Sequence, residues 1–176
     1  MDESELAQRA ASGDLEAFGE LVRSHQAGVY NVALRLIGET RAAEDAAQEA
    51  FLRAFRSIRH LDPTRPAGLW LKKIAVNVCL DRLGGGEPDP LDEEAILPDP
   101  EPGPETQTVA REAGEAIRRG LLRLPPRYRA AIELRHFQGL SYAEMAVALN
   151  RPLSDVKSDL FRARRLLAGY LKEMDE

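Results

Sequence analysis

The chain has 176 residues, is 44% apolar and 6% aromatic, and carries a formal charge of −5. That length holds one domain or two small ones, and abundant Ala, Leu and Arg with few aromatics favour packed helices over sheet. A single cysteine, Cys79, excludes an internal disulfide; the start Asp2-Glu-Ser-Glu5 does not read as a basic leader, and no apolar stretch reaches membrane-spanning length. No membrane insertion is expected, and the cytoplasm is the expected compartment.

Along the chain, a short helix is weakly indicated around Leu6–Ala11. A strong helical stripe follows in Leu15, Phe18, Val22, Val29, Ala33 and Leu36, with Asp14 as its N-cap. Ala43, Ala47, Phe51, Ala54 and Ile58 make the next stripe. Pro63 and Pro66 break it. Leu71, Ile74, Ala75 and Val78 make the third, ending near Leu83.

Residues 84–107 then change character. They open on three glycines, hold 6 of the 11 prolines, and carry eight Asp/Glu with no Lys/Arg. Such a segment cannot continue a helix and has little to bury, so a flexible acidic linker is expected. Its Gly run lacks the Gly-Lys-Ser/Thr ending of a phosphate-cradling loop. The acidity of the chain is concentrated here: residues 1–83 have a net charge of −1 and residues 108–176 of +4.

The C-terminal part predicts a helix near Val109 to Leu122, a break at Pro125-Pro126, and a second helix to about Phe137 ended by Gln138-Gly139. Ser141 and Glu144 form a capping box for a third helix. Asn150-Arg-Pro152 makes a tight turn, and Ser154 is expected to cap the last helix, with Asp155 in its first turn. Two short helices about a tight turn, the second rich in cations, read as a helix-turn-helix. The fold class is therefore all-α: helical domains at 1–83 and 108–176 joined by the linker at 84–107.

On the last helix, Val156, Leu160, Ala163 and Leu167 fall on one face, expected to be core. Lys157, Ser158, Phe161, Arg162 and Arg165 fall on the other. An aromatic among cations suits a major groove, where a ring edge meets a thymine methyl and the cations meet phosphate or guanine. Asp155 and Asp159 count against phosphate, and Asp159 is placed either to pair with Arg162 or to stand off the DNA entirely. In the N-terminal part, Glu44, Asp45, Gln48, Glu49 and Leu52 make an acidic patch with an apolar neighbour. Trp70, Lys73 and Asn77 follow helical spacing, and such residues hold single-stranded bases by stacking and edge hydrogen bonds. The plain alternatives are a core Trp70 with solubilising lysines, and a solvated acidic face. His25, His60 and His136 are scattered and Cys79 sits in an apolar helix, so no catalytic triad, metal spacing or cofactor site emerges.

These pieces occur together in one family. Asp14-Leu-Glu-Ala-Phe18, Ala43-Glu-Asp-Ala-Ala-Gln-Glu-Ala-Phe-Leu52 and Leu69-Trp-Leu-Lys-Lys-Ile-Ala-Val-Asn77 resemble conserved region 2 of the extracytoplasmic-function (ECF) group of bacterial RNA polymerase sigma factors. Leu124-Pro-Pro-Arg-Tyr-Arg129, Gly139-Leu-Ser-Tyr-Ala-Glu-Met-Ala146 and Val156-Lys-Ser-Asp-Leu-Phe-Arg-Ala-Arg164 resemble region 4. The resemblance implies a non-enzymatic promoter-specificity factor. Asp45, Gln48, Glu49 and Leu52 would dock on the clamp coiled coil of the largest polymerase subunit, and the flap of the second largest is a further implied contact. Trp70, Lys73 and Asn77 would open and read the −10 element, and Lys157, Ser158, Phe161, Arg162 and Arg165 the −35 element. Promoter DNA and an anti-sigma factor are the other implied partners. Two departures stand out: Gly84 follows Arg82-Leu83 where the family often continues with basic residues, and Asp155 and Asp159 replace common Thr and Arg. A conventional helix-turn-helix regulator with an N-terminal sensor explains residues 108–176 equally well, but leaves the region 2 motifs unexplained.

Overall fold

The computed structural model describes residues 2–84 and 114–175, which are all-α; there is no strand among them. The chain divides into two compact units, Met1–Arg82 and Leu83–Glu176.

The N-terminal unit holds α1 (Glu3–Ala11), α2 (Leu15–Ile37), α3 (Thr40–Arg56) and α4 (Ala67–Leu83), with a 3₁₀ turn at Ile58–His60. The weakly indicated first helix is a formed one, capped by the Asp2 carboxylate accepting from the Glu5 amide at 2.8 Å. Asp14 caps α2 as expected, accepting from Glu16 and Ala17 at 3.0 and 3.2 Å. The Ala17 amide, then Arg9, hold its carboxyl below the usual carboxylate range. Gly38 ends α2 at φ 85°, a left-handed conformation that glycine adopts without a Cβ clash. The Glu39 side chain starts α3 two residues into the reversal, accepting from Arg41 and Ala42.

The buried face of α3 is almost all alanine: Ala43, Ala46, Ala47, Ala50 and Ala54. Small side chains let α3 lie close along α2, which supplies Val29, Val32, Ala33 and Leu36, each at most 1% exposed. Full burial of a Val or Leu of this kind contributes about 1.5–3 kcal/mol. The start of α4 lies under a side chain of α2: a Cβ on Gly68 would stand 2.8 Å from the His25 ring. Gly68→Ala must therefore displace a rigid ring that also pairs with Glu3, and should lower stability by about 1–3 kcal/mol. Trp70 is the chain's one tryptophan and packs on the core of this unit, so its fluorescence in a denaturant titration reports the change. An unchanged midpoint would show that the helices have room to spare.

The C-terminal unit holds α5 (Gly114–Arg123), α6 (Pro126–Ile132), α7 (Tyr142–Leu149) and α8 (Leu153–Met174). The start predicted for α5, at Val109, lies outside the described residues, as does nearly all of the predicted linker. Buried Arg129 donates to the carbonyls of Leu121, Leu122 and Leu124 at 2.8–3.0 Å, satisfying acceptors that the end of α5 leaves open. The helix begun by α6 does run to Phe137, but its last stretch, Glu133–Phe137, is a π-helical turn, with the Gln138 amide donating to the Glu133 carbonyl at 3.0 Å. The capping box at Ser141 and Glu144 forms in both directions.

The helix-turn-helix turn reverses at Asn150, whose φ of 52° is left-handed. The expected Ser154 cap is corrected: Pro152 occupies the N-cap of α8 with no side-chain hydrogen bond, and Ser154 lies within the helix. Proline fits there because its fixed φ suits the residues that begin a helix.

Candidate nucleic-acid interface

Val156, Leu160 and Ala163 of α8 are buried as expected, each at most 1% exposed, and Leu167 is part-buried. On the other arc, Arg165 is exposed and Lys157, Phe161 and Arg162 are part-buried. Ser158 lies within that arc by helix angle, but it is only 8% exposed and presents little to a partner. The buried arc of α8 is wider than its apolar stripe. It takes in Asp159 as well, 2% exposed and paired with Arg127 at 2.8 Å and with Arg151. The expected partner of Asp159, Arg162, is thus corrected to these two arginines. Burial pushes the Asp159 carboxyl above the usual carboxylate range, against the pull of both guanidinium groups. Asp155 pairs with Arg151 at 3.3 Å.

Sequence reasoning missed Arg135 and Tyr142. The Arg135 guanidinium lies 5.1 Å and the Lys157 ammonium 5.8 Å from the centre of the Tyr142 ring, so the first residue of α7 gathers a cation from the π-helical turn and another from α8. No apolar period or charge run signals such a cluster. Arg151 was read only as a turn residue, although its spacing of four and eight from Asp155 and Asp159 is a legible helical charge pattern.

In α4, Trp70, Lys73 and Asn77 are all part-buried. At about 100° per residue they share one side of the helix, away from Leu71, Ala75 and Val78. Trp70 packs against the cluster of Leu6, Ala10, Leu21 and Leu61, so part of its ring is already occupied. The Asn77 amide donates to the Lys73 carbonyl at 3.2 Å.

In α3, Asp45 and Gln48 are exposed, Glu49 is part-buried, and Leu52 is 56% exposed. The acidic patch is partly neutralised: Arg82 reaches Glu49 at 3.3 Å and the Asp45 carbonyl at 3.4 Å, while Arg53 spans Glu49 and Asp81. Leu52 and Gln48 also line an open groove of about 910 Å³ between α2 and α3, with Phe18, Val22, Tyr30 and Phe51 along it. The share of α2 in this surface could not be read from the α3 motif. Among the described residues no group of three or more His, Cys, Asp or Glu is placed to hold a metal, and no helix is long and apolar enough to cross a membrane.

Residues 21–85 match the family Sigma-70 region 2, and residues 114–167 match Sigma-70, region 4. ECF RNA polymerase sigma factor SigW of Bacillus subtilis (strain 168) is 33% identical over 95% of each chain. The chain belongs to the ECF group of RNA polymerase sigma factors. ECF RNA polymerase sigma factor SigM of Mycobacterium tuberculosis (strain ATCC 25618 / H37Rv) is 36% identical, over 96% of this chain and 86% of its own. Among solved structures, CnrH in complex with the cytosolic domain of CnrY has a TM-score of 0.65 and 26% identity, covering 97% of both chains. The α1–α4 unit thus carries the region 2 match and the α5–α8 unit the region 4 match. The chain is an alternative sigma factor that directs transcription.

Proposed function

We propose that this sigma factor acts in the cytoplasm as a two-point promoter clamp, with no catalytic step of its own. Its α8 reads the −35 element as duplex through Lys157, Phe161, Arg162 and Arg165. Its α4 works at the −10 element, where Lys73 and Asn77, with the open part of Trp70, hold extruded bases. Asp45, Gln48, Glu49 and Leu52 dock on the clamp coiled coil of the largest polymerase subunit, and region 4 meets the flap of the second largest. Residues 84–107 link the two halves. The observation that carries this reading is the mixed cationic and aromatic arc of α8 behind a formed helix-turn-helix. Binding energy stands in for ATP here: bases caught in pockets offset an unstacking cost of a few kcal/mol per step.

The deciding experiment is reconstitution with core polymerase, followed by run-off transcription from promoters selected out of a random library. Transcripts from a defined subset of promoters, dependent on both factor and core, are the expected result. Tight binding to promoter DNA without polymerase, and no transcript with it, would instead make the chain a conventional helix-turn-helix regulator.

An anti-sigma factor is a further proposed partner. The open apolar groove between α2 and α3 supports it, as does the CnrH structure, which holds a second protein. Pull-downs from resting cells that recover polymerase and no other stoichiometric protein would argue against it.

A further inference from the structure

The turn of the helix-turn-helix holds an arginine that no DNA-reading role accounts for. Arg151 stands between left-handed Asn150 and Pro152. Its guanidinium pairs with Asp155 and Asp159, four and eight residues on, and Asp159 is shared with Arg127 of α6. The side chains of Asp159, Arg127 and Arg151 are 3%, 9% and 19% exposed, and that of Asp155 is 46% exposed. A planar guanidinium offers donors in a fixed fork, so one arginine can bind two carboxylates a helical turn apart. Because Pro152 gives α8 no side-chain cap, the Arg151 fork is a contact that runs from the turn along the first two turns of the helix. Arg127 joins the same carboxylate to α6.

The place of this chain of charges matters. At about 100° per residue, Asp155 and Asp159 border the arc of Lys157, Phe161 and Arg162 on the Arg162 side. A bare carboxylate there stands at the edge of a surface meant for phosphates, and like charges brought together at an interface are costly.

We propose that Arg151 is a positioning residue for promoter recognition: its guanidinium, held by Asp155 and Asp159, neutralises the carboxylates beside the reading arc, so that the helix can approach duplex DNA. This rests on the reading of α8 as the −35 helix. It also changes what the two acidic substitutions mean. Asp155 is the exposed end of an ion chain and Asp159 its buried middle link.

The test uses the full chain with core polymerase and run-off transcription from a promoter with an intact −35 element and from one with that element scrambled. Arg151→Gln should lower the advantage of the intact element about tenfold at low salt, and less at high salt where exposed charge is screened. Adding Asp155→Asn should bring the advantage back to within about twofold of the parent, because the uncompensated carboxylate is gone. Lost packing around residue 151 is common to both variants, so a purely structural role predicts no recovery. A double variant as weak as the single one would overturn the proposal; that is also the result expected if Arg151 touched phosphate itself. Arg162→Ala is run in parallel. If it lowers the advantage while Arg151→Gln does not, this proposal fails alone. If neither variant has an effect, the −35 reading of α8 fails and takes this proposal with it.

Discussion

Arg162→Ala should lower initiation at promoters that need their −35 element by roughly tenfold or more, because a good contact from arginine to a base edge discriminates by about 1–3 kcal/mol. Arg162 lies on the arc of α8 opposite Val156, Leu160 and Ala163. Its nearest acidic neighbour in the helix, Asp159, is taken up by Arg127 and Arg151. The loss should vanish on a template whose −35 element is scrambled. Affinity for core polymerase should not change, since the docking residues named on α3 lie in the other unit and Arg162 belongs to the DNA arc rather than to the flap contact of region 4. Quantitative run-off assays beside a fluorescence titration of core separate the two effects. A parallel loss of polymerase affinity would contradict the assignment of Arg162 to DNA.

Leu52→Glu should weaken binding to core polymerase by about thirtyfold or more, in the range of an interface hot spot of 2 kcal/mol and above. Leu52 is 56% exposed, so the fold of the N-terminal unit does not depend on it. It borders the groove lined by Phe18, Val22, Tyr30 and Phe51, where a partner can bury a continuous apolar strip beside the carboxylates of α3. A glutamate there adds a desolvation penalty and a charge to an already acidic edge. The variant should retain the denaturation midpoint of the parent, read by Trp70 fluorescence. Transcription lost with core affinity unchanged would move the docking site away from Leu52.

In α2 and α3 the apolar positions recur with the helical period, and Val29, Ala33, Leu36, Ala43, Ala47 and Ala54 are buried, but Leu15 is 66% exposed and Phe18, Val22, Phe51 and Ile58 are only part-buried. In α8 the same reasoning placed Val156, Leu160 and Ala163 correctly and put Ser158 on the outer arc, where it is nonetheless only 8% exposed. Polarity says where a side chain is cheapest to leave, not how far its neighbours cover it. Asp159 makes the same point more strongly. A carboxylate is expected at the surface, and it is buried here because Arg127 and Arg151 arrive from two other segments to meet it. Trp70 lay between two readings, a stacking platform or a core residue. The structure places it between them, packed on Leu6 and Leu21 and still part-exposed.

Local sequence determined the helices, most of their caps, the helix-turn-helix, the acidic segment and the family, because propensity, period and motif all act over a few residues. Only the tertiary structure decided which of those residues are available to a partner. Long-range packing made a groove out of α2 and α3, drew Arg135 and Lys157 to one tyrosine ring, and brought Arg127 of α6 to the buried Asp159. Those outcomes depend on side chains far apart in the chain meeting at distances of a few ångströms, which no single stretch of sequence encodes.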